Sequence, residues 1–250
     1  MASKKIFFVS DAHLGTPSHE KSLVREKLFV KWLDEIKPQA EEIYIIGDLF
    51  DFWFEYSKVI PKGFTRILGK LAEITDAGIP VYFFTGNHDV WMRGYFEKEL
   101  NIPVYHEPVV KTLRGKKFYL AHGDGLGPGD YGYKFLKQIF RSKFCQWLFK
   151  WLHPDIGITV ADFWSKRSRY VSADGKIEPY LGEDKEWLII YARQLLEKEH
   201  YDYFIFGHRH LVLDIPLKEN SRFINLGDWL THFTYAEFDG KTFRINHYKG

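Results

Sequence analysis

The sequence predicts an α/β protein whose helices form layers around two packed sheets or around one mixed sheet. Two observations indicate this fold class. Between residues 6 and 206, short apolar runs rich in β-branched and aromatic residues alternate with segments of helical periodicity. After residue 206 only short strand-like runs follow, which is typical of a strand meander at the end of the domain.

Each element follows from its own pattern. The strands predicted in the alternating part are Ile6–Val9, Ile43–Ile46, Val81–Phe84, Lys117–Ala121 and Tyr203–Phe206. Apolar residues at three- and four-residue spacing predict the helices Glu20–Lys37, Phe64–Ala77 and Glu183–Glu199. The meander comprises Leu211–Ile215, Arg222–Leu226, Thr234–Phe238 and Thr242–Tyr248, with a hairpin turn at Asp239-Gly240.

The chain has 250 residues, a formal net charge of +2 and a single cysteine, Cys145. This length allows one core that buries about 70–75% of the surface of the unfolded chain, so we expect one domain over residues 1–250. The small net charge does not indicate a polyanionic partner. The single cysteine excludes an internal disulfide and fits a reducing compartment. Because no signal-peptide pattern and no long apolar run is found, we expect a cytoplasmic protein.

Five predicted strands are each followed directly by side chains that can bind metals. These tips are Asp11-Ala12-His13, Gly47-Asp48-Leu49-Phe50-Asp51, Gly86-Asn87-His88-Asp89, His122-Gly123-Asp124 and Gly207-His208-Arg209-His210. Ligands of α/β sheets bind beyond the carboxyl ends of the strands, so we expect the tips to converge. One such tip alone would usually be a turn or a cap. Five successive tips favour a metal centre, and imidazole with carboxylate suits Mn²⁺, Zn²⁺ or Fe²⁺.

In their order and residue types, the five tips resemble the motifs of the calcineurin-like metallophosphoesterases, over residues 6 to 228. The resemblance implies a four-layer αββα sandwich of two mixed sheets flanked by helices. It also implies a centre of two divalent cations, most often Mn²⁺. One cation would be held by Asp11, His13, Asp48 and His210, and the other by Asp48, Asn87, His122 and His208, with Asp48 as the bridge.

The resemblance gives His88 and Asp51 a different role. His88 would face the phosphate, where it stabilises charge or protonates the leaving oxygen, and Asp51 would orient it. The segment Asn225–Trp229 resembles a strand end near the family's site, and we expect it to play a supporting role.

Within the superfamily, the chain is similar to the UDP-2,3-diacylglucosamine pyrophosphatases of lipid A biosynthesis. The stretch "GDLFDFWFEY" at 47–56 resembles their second motif, and His122-Gly123-Asp124 followed by Asp130 resembles their fourth. The resemblance implies hydrolysis of a UDP-linked acylated sugar to UMP and 2,3-diacylglucosamine 1-phosphate. Asp130, Ser165 and Arg169 would contact this substrate.

Two alternatives to this function remain open. Well-known members of the branch carry Arg where this chain has His88, and a titratable imidazole does not replace a forked guanidinium. The chain is therefore also compatible with a metallophosphodiesterase or phosphatase that acts on another nucleotide, diphosphate or nucleic acid. A metal-binding scaffold without catalysis ranks last, because no ligand position is missing.

Residues 134–152 combine an apolar helical face with five cations and no acid. This pattern fits either a core helix with a solvated basic edge or an aromatic cap helix. Such a cap would line an acyl-chain pocket or lie on an anionic bilayer, here the inner face of the inner membrane. A nucleic-acid surface is a weaker third interpretation. The branch inserts a lipid-binding cap at this position, which favours a helical cap insertion at about residues 130–180.

Overall fold

The computed structural model describes residues 4–128, 131–160 and 179–250. Its strands are β1 (Lys5–Val9), β2 (Ala40–Ile46), β3 (Val81–Phe84), β4 (Val104–Tyr105), β5 (Val109–Leu113), β6 (Lys116–Leu120), β7 (Tyr203–Phe206), β8 (Val212–Pro216), β9 (Arg222–Leu226), β10 (Thr234–Phe238) and β11 (Phe243–His247). Its helices are α1 (His19–Ile36), α2 (Thr65–Asp76), α3 (Tyr95–Glu99), α4 (Tyr131–Arg141), α5 (Lys143–Lys150) and α6 (Trp187–Leu196), and residues 154–160 are also helical. Short 3₁₀ turns lie at Lys37–Gln39 and Lys218–Asn220.

The strands form two mixed sheets. The first has the order β11-β10-β1-β2-β3-β4, in which β1 to β4 are parallel and the hairpin β10–β11 is antiparallel. The second has the order β5-β6-β7-β9-β8, with three parallel central strands and an antiparallel strand at each edge. The parallel strands of each sheet end on the same side, which brings the predicted tips toward one edge.

Strand β1 shows that the first sheet is buried on both faces. Phe7 and Val9 belong to an apolar cluster that includes the inward faces of α1 and α2, whereas Ile6 and Phe8 pack with strands of the second sheet. Successive side chains of a strand point to opposite faces. An uninterrupted apolar run is therefore what a strand covered on both sides requires.

The outer face of the second sheet is covered by α6. Tyr119 and Phe204 of this sheet pack in one cluster with Leu188 and Ala192 of the helix. The layers are therefore helices, six-stranded sheet, five-stranded sheet and helix. This arrangement confirms the predicted αββα sandwich.

The segment predicted as one helix over 134–152 is two helices. Ser142 interrupts it with extended backbone (φ −62°, ψ 118°), and its hydroxyl accepts a hydrogen bond from the Cys145 amide at 3.4 Å, which caps α5. The interpretation of this segment as a core helix is wrong. Phe144 is 65% exposed and Trp151 75% exposed, because helical periodicity identifies an apolar face but not what covers it.

The pattern also missed β4, β5 and α3, each of which has five residues or fewer. No helix within the described ranges has both the length and the apolar character needed to cross a bilayer.

Candidate metal centre

The strand tips are joined to one another by main-chain hydrogen bonds. The amide of Asp11 donates to the carbonyl of Gly47 at 3.1 Å, and the amide of His13 donates to the carbonyl of Asp48 at 2.9 Å. On the other sheet, the amide of Gly207 donates to the carbonyl of His122 at 2.9 Å. The positions of the tip side chains are therefore set by the backbone.

The residues predicted as ligands have an unusual backbone conformation. Five of them have left-handed φ angles: Asp11 (55°), His13 (43°), Asp48 (52°), His208 (67°) and His210 (54°). Positive φ is uncommon for residues with a side chain. Where the surrounding structure maintains it, it tends to mark functional sites. Each chain segment therefore leaves its strand sharply, and its polar side chains turn toward the common edge.

One group of side chains surrounds His13 Nε2. This atom lies 3.2 Å from His210 Nε2, 3.6 Å from Asp48 Oδ2 and 3.8 Å from Asp11 Oδ1, and His210 Nε2 lies 3.4 Å from Asp11 Oδ1. Two carboxylates and two imidazoles thus direct their potential ligand atoms at one point. These are the four residues that the resemblance assigns to the first cation.

A second group lies on the other side of Asp48. His122 Nε2 is 3.2 Å from Asp48 Oδ2, and His208 Nδ1 is 3.0 Å from the side-chain oxygen of Asn87. The rings of His122 and His208 are 5.3 Å apart. Asp48 Oδ2 therefore lies between His13 and His122. The structure brings all seven predicted ligands together.

Outer contacts hold two of the imidazoles in place. His122 Nδ1 lies 2.8 Å from the carbonyl oxygen of Ile46, a contact that assigns the ring proton to Nδ1. His122 Nε2 is buried and faces Asp48 Oδ2 at 3.2 Å. His210 Nδ1 lies 3.3 Å from Asp228 Oδ2. Metal-binding histidines are typically oriented in this way through their second nitrogen, so the donor set fits divalent cations.

The electrostatics of the centre follow from its burial. Burial opposes the charge of Asp48, but the neighbouring imidazoles, His122 foremost, outweigh it and hold the pKa of Asp48 well below its usual value. Burial, reinforced by His122, lowers the pKa of His208 to about 4. Burial opposes the protonation of His122, but the neighbouring Asp48 outweighs it and raises the pKa of His122 well above its usual value. Cations bind ionised carboxylates and neutral imidazoles, so metal binding at His122 would release a proton.

Comparison with known proteins identifies the family. The family model described as calcineurin-like phosphoesterase matches residues 4–212. The chain belongs to this family. Proteins named UDP-2,3-diacylglucosamine hydrolase from Porphyromonas gingivalis and Histophilus somni are 39% and 31% identical to it, covering 95% and 97% of this chain and 95% and 99% of their own lengths. A hypothetical protein from Pyrococcus horikoshii has a similar fold, with a TM-score of 0.50, 12% identity, and coverage of 98% of this chain and 89% of that one.

The chain is therefore a metal-dependent hydrolase, and its family together with the clustered His and Asp side chains implies divalent metal ions at this centre. Asp228 was not among the predicted site residues of this phosphoesterase. Burial raises its pKa, but hydrogen bonds from His210 and from the amides of Thr231 and His232 hold that pKa well below the usual value. Asp228 therefore stays ionised beside His210. The resemblance of Asn225–Trp229 to a family strand end was the only signal for it.

His88 of the phosphoesterase lies beside the first group. Its Nδ1 is 2.9 Å from the carbonyl oxygen of Asp51 and 4.0 Å from the Asp51 carboxylate, whose Oδ1 is closer to Nδ1 of His13, at 3.4 Å. Asp51 thus lies at hydrogen-bond distance from His88 through its main chain, whereas the resemblance implied a carboxylate–imidazole pair. Burial lowers the pKa of His88 to about 4, so the imidazole is neutral at pH 7 in the metal-free protein.

Asp89 and Gly86 shape the turn that carries Asn87 and His88. The buried Asp89 carboxylate accepts hydrogen bonds from the amides of Gly86 at 2.7 Å and Leu49 at 2.9 Å, which fastens this turn to the preceding tip. A Cβ at Gly86 would collide with the carboxylate of Asp48. The sequence indicated a glycine turn here, but it did not indicate that the Asp89 carboxylate would hold this turn in place through hydrogen bonds.

Two cations of the segment 134–152 form ion pairs, whereas Lys143 and Lys150 are exposed. Lys137 Nζ contacts the Asp124 carboxylate at 2.6 Å, and Arg141 pairs with Glu107. These contacts attach α4 to the loop after β6 and to residues near β4. The predicted substrate contacts Asp130, Ser165 and Arg169 lie outside the described residues.

Proposed function

We propose that the chain hydrolyses the pyrophosphate bond of UDP-2,3-diacylglucosamine, releasing UMP and 2,3-diacylglucosamine 1-phosphate. The hydrolytic chemistry rests on the convergence of seven donor side chains, of which Asp48 is the central one. The choice of substrate rests on relatives named UDP-2,3-diacylglucosamine hydrolase, which match this chain over nearly its whole length. The proposed partner is thus a UDP-linked acylated sugar.

We assign two divalent cations to the centre and propose Mn²⁺, which suits the mixture of imidazole and carboxylate donors. Asp11, His13, Asp48 and His210 would hold one, and Asp48, Asn87, His122 and His208 the other. Bound cations would supply Lewis-acid stabilisation of the phosphate and an activated water. Asp48 supports this division because its Oδ2 lies 3.6 Å from His13 Nε2 and 3.2 Å from His122 Nε2.

His88 is proposed to stabilise the reacting phosphate or to move a proton at the leaving oxygen. The proximity of its Nδ1 to the Asp51 carbonyl assigns the ring proton to Nδ1 and fixes the ring. A neutral ring then presents Nε2 as a proton acceptor. The negative charge of a bound pyrophosphate would favour protonation of this nitrogen, which would make it an acid only with substrate in place.

The helices after β6 are proposed to form a cap insertion, at about residues 130–180, on a single domain spanning residues 1–250. On α5, Phe144, Trp147 and Leu148 are about half exposed or more, and with Trp151 they form one apolar stripe. The inner side of α5 packs on the core, where Phe149 lies 4.9 Å from the ring of Trp91. An exposed apolar face on a helix that packs against Trp91, in the segment that follows His88, suits acyl chains.

We place the enzyme in the cytoplasm, with its cap touching the inner face of the inner membrane. Lys143 and Lys150 are exposed at the two ends of α5, so cations flank the apolar stripe, as in helices that lie on anionic bilayers. Nucleic acid is a poor partner for this surface, because Lys137 and Arg141 are already paired with acids.

The direct test is the product. We expect mass spectrometry to detect UMP and the acylated sugar 1-phosphate when the full chain is incubated with UDP-2,3-diacylglucosamine and Mn²⁺. A panel with UDP-N-acetylglucosamine, ADP-ribose and a phosphodiester would measure preference. Faster turnover of a substrate without acyl chains would contradict the proposed substrate.

A second candidate is a metallophosphodiesterase or phosphatase for another nucleotide or diphosphate. His88 favours it, since this position carries Arg in well-known members of the branch that the chain resembles. The same panel separates the two candidates.

The proposed acyl pocket predicts a selective change in KM. Because Phe144 and Trp147 are largely exposed, we expect Phe144→Ala and Trp147→Ala to alter stability by about 0.5 kcal/mol or less. KM for the acylated substrate should rise about tenfold, the equivalent of about 1.4 kcal/mol of lost apolar contact.

Steady-state kinetics with acylated and non-acylated substrates would check this prediction. Val24, on α1, is 70% exposed, so Val24→Ala serves as the control and should leave both values of KM unchanged. Equal changes for the two substrates in the cap variants would exclude the pocket.

A further inference from the structure

A buried ion pair reaches the loop that carries His208 and His210. Arg209 lies between these two histidines, and its Nε and Nη2 donate to Oε2 and Oε1 of Glu186 at 3.1 and 3.0 Å. Only 5% of the Arg209 side chain and 2% of the Glu186 side chain are exposed. A charged side chain is rarely buried to this extent unless a partner compensates its charge, so this burial requires an explanation.

The pair belongs to a wider set of contacts. The guanidinium carbon of Arg209 lies 4.6 Å from the ring centre of Trp187. Arg209 Nη2 also lies 3.3 Å from the carbonyl oxygen of Pro179, and Glu186 Oε1 accepts a hydrogen bond from the Leu181 amide at 3.0 Å. The pair therefore connects the loop after β7 to the start of α6 and to residues 179–181.

The loop needs such support because its backbone conformation is energetically unfavourable. His208 and His210 both have left-handed φ angles, a conformation that persists only where surrounding contacts maintain it. The Arg209 side chain is planar and forked, so its two hydrogen bonds to one carboxylate fix its orientation and that of its own backbone.

We propose that Arg209, through Glu186, is a positioning residue for the metal centre. It holds the backbone between His208 and His210 so that both imidazoles reach their ligand positions. Arg209 touches neither substrate nor metal in this role. The inference rests on the proposed assignment of His208 and His210 as ligands, and it adds a residue that sets how tightly they bind.

The test measures Mn²⁺ affinity, by the electron paramagnetic resonance signal of free Mn²⁺ during titration of the chelator-stripped full chain. We expect Arg209→Met to weaken binding by about tenfold, the lower end of the effect of removing a group that directly holds a metal ligand, because Arg209 acts through the backbone. Arg209→Lys should recover part of the loss. Because Arg209→Met leaves Glu186 as a buried unpaired charge, the double variant Glu186→Gln/Arg209→Met provides a folded comparison.

A matched control is Arg222→Met. Arg222 also pairs with a carboxylate, Asp214, at 3.0 Å, and lies over the ring of Tyr203 in the same sheet. The Arg222→Met variant should have a lower thermal stability than the wild type but the same affinity for Mn²⁺. Wild-type affinity in the folded double variant would overturn the positioning role.

Variants of the histidines distinguish the two proposals. If His208→Ala and His210→Ala weaken Mn²⁺ binding but the Arg209 variants do not, only the positioning role fails. If the histidine variants also bind Mn²⁺ normally, the proposed ligand assignment fails and the positioning role fails with it.

Discussion

Asp48→Asn should lose bound metal and activity together. The substitution keeps the size of the side chain but removes the charge that faces both His13 and His122. An outer-shell partner typically contributes about 10–100-fold to metal affinity or activity, and a shared ligand should contribute more. We therefore expect kcat/KM to fall by more than about 100-fold, with metal content falling in parallel.

Metal content is measured by inductively coupled plasma mass spectrometry after gel filtration. The value of kcat/KM is measured with the acylated substrate. Asp34, an exposed aspartate that pairs with Lys70 at 2.6 Å, provides the control variant Asp34→Asn, which should resemble the wild type in both measurements. A variant of Asp48 that turns over normally without its metal would refute the bridging role.

His88→Ala should give the opposite pattern, with metal retained and turnover slowed. The amide of His88 donates to Asp48 Oδ1 at 2.9 Å, and this bond survives any change of side chain. Loss of an acid–base or charge-stabilising group usually costs about 10²-fold or more in rate. We expect a fall of that size in kcat.

The comparison with His88→Arg is informative. A guanidinium clamps a pyrophosphate through two hydrogen bonds, so this variant should keep more activity than His88→Ala on a pyrophosphate substrate. His200, whose side chain is 45% exposed and lies outside the proposed cap, provides the control His200→Ala, for which no change is expected. An unchanged kcat in His88→Ala would show that the imidazole takes no part in the reaction.

The sequence predicted the parts of this molecule that depend on local pattern. Val81–Phe84 and Tyr203–Phe206 coincide with β3 and β7, because strands covered on both faces are continuously apolar. The strand tips could be located because each directly follows such a strand, and parallel strands end at one edge of a sheet. Which seven tip side chains are the candidate ligands was implied by the resemblance to the phosphoesterases, since strand position alone does not separate them from Asp51 or Asp89.

Other features depend on contacts that the sequence does not reveal. Asp228 lies 18 residues beyond His210 and becomes its partner only because β9 pairs with β7. Arg209 appears in the sequence as an ordinary loop cation, and its burial depends on Glu186 at the start of α6. The break at Ser142 is set by a single cap, which helical periodicity across 134–152 conceals.

The distribution of the donor side chains between the two sheets has a further consequence. Asp11, His13, Asp48 and Asn87 follow strands of the six-stranded sheet, whereas His122, His208 and His210 follow strands of the five-stranded sheet. Ions bound among these residues would link the six-stranded sheet to the five-stranded sheet. By mass action, any ion that prefers the native form raises resistance to heat as its concentration rises. The midpoint of thermal unfolding should therefore rise with the fraction of metal sites that are occupied. Removal of the ions by a chelator should weaken the association of the two sheets.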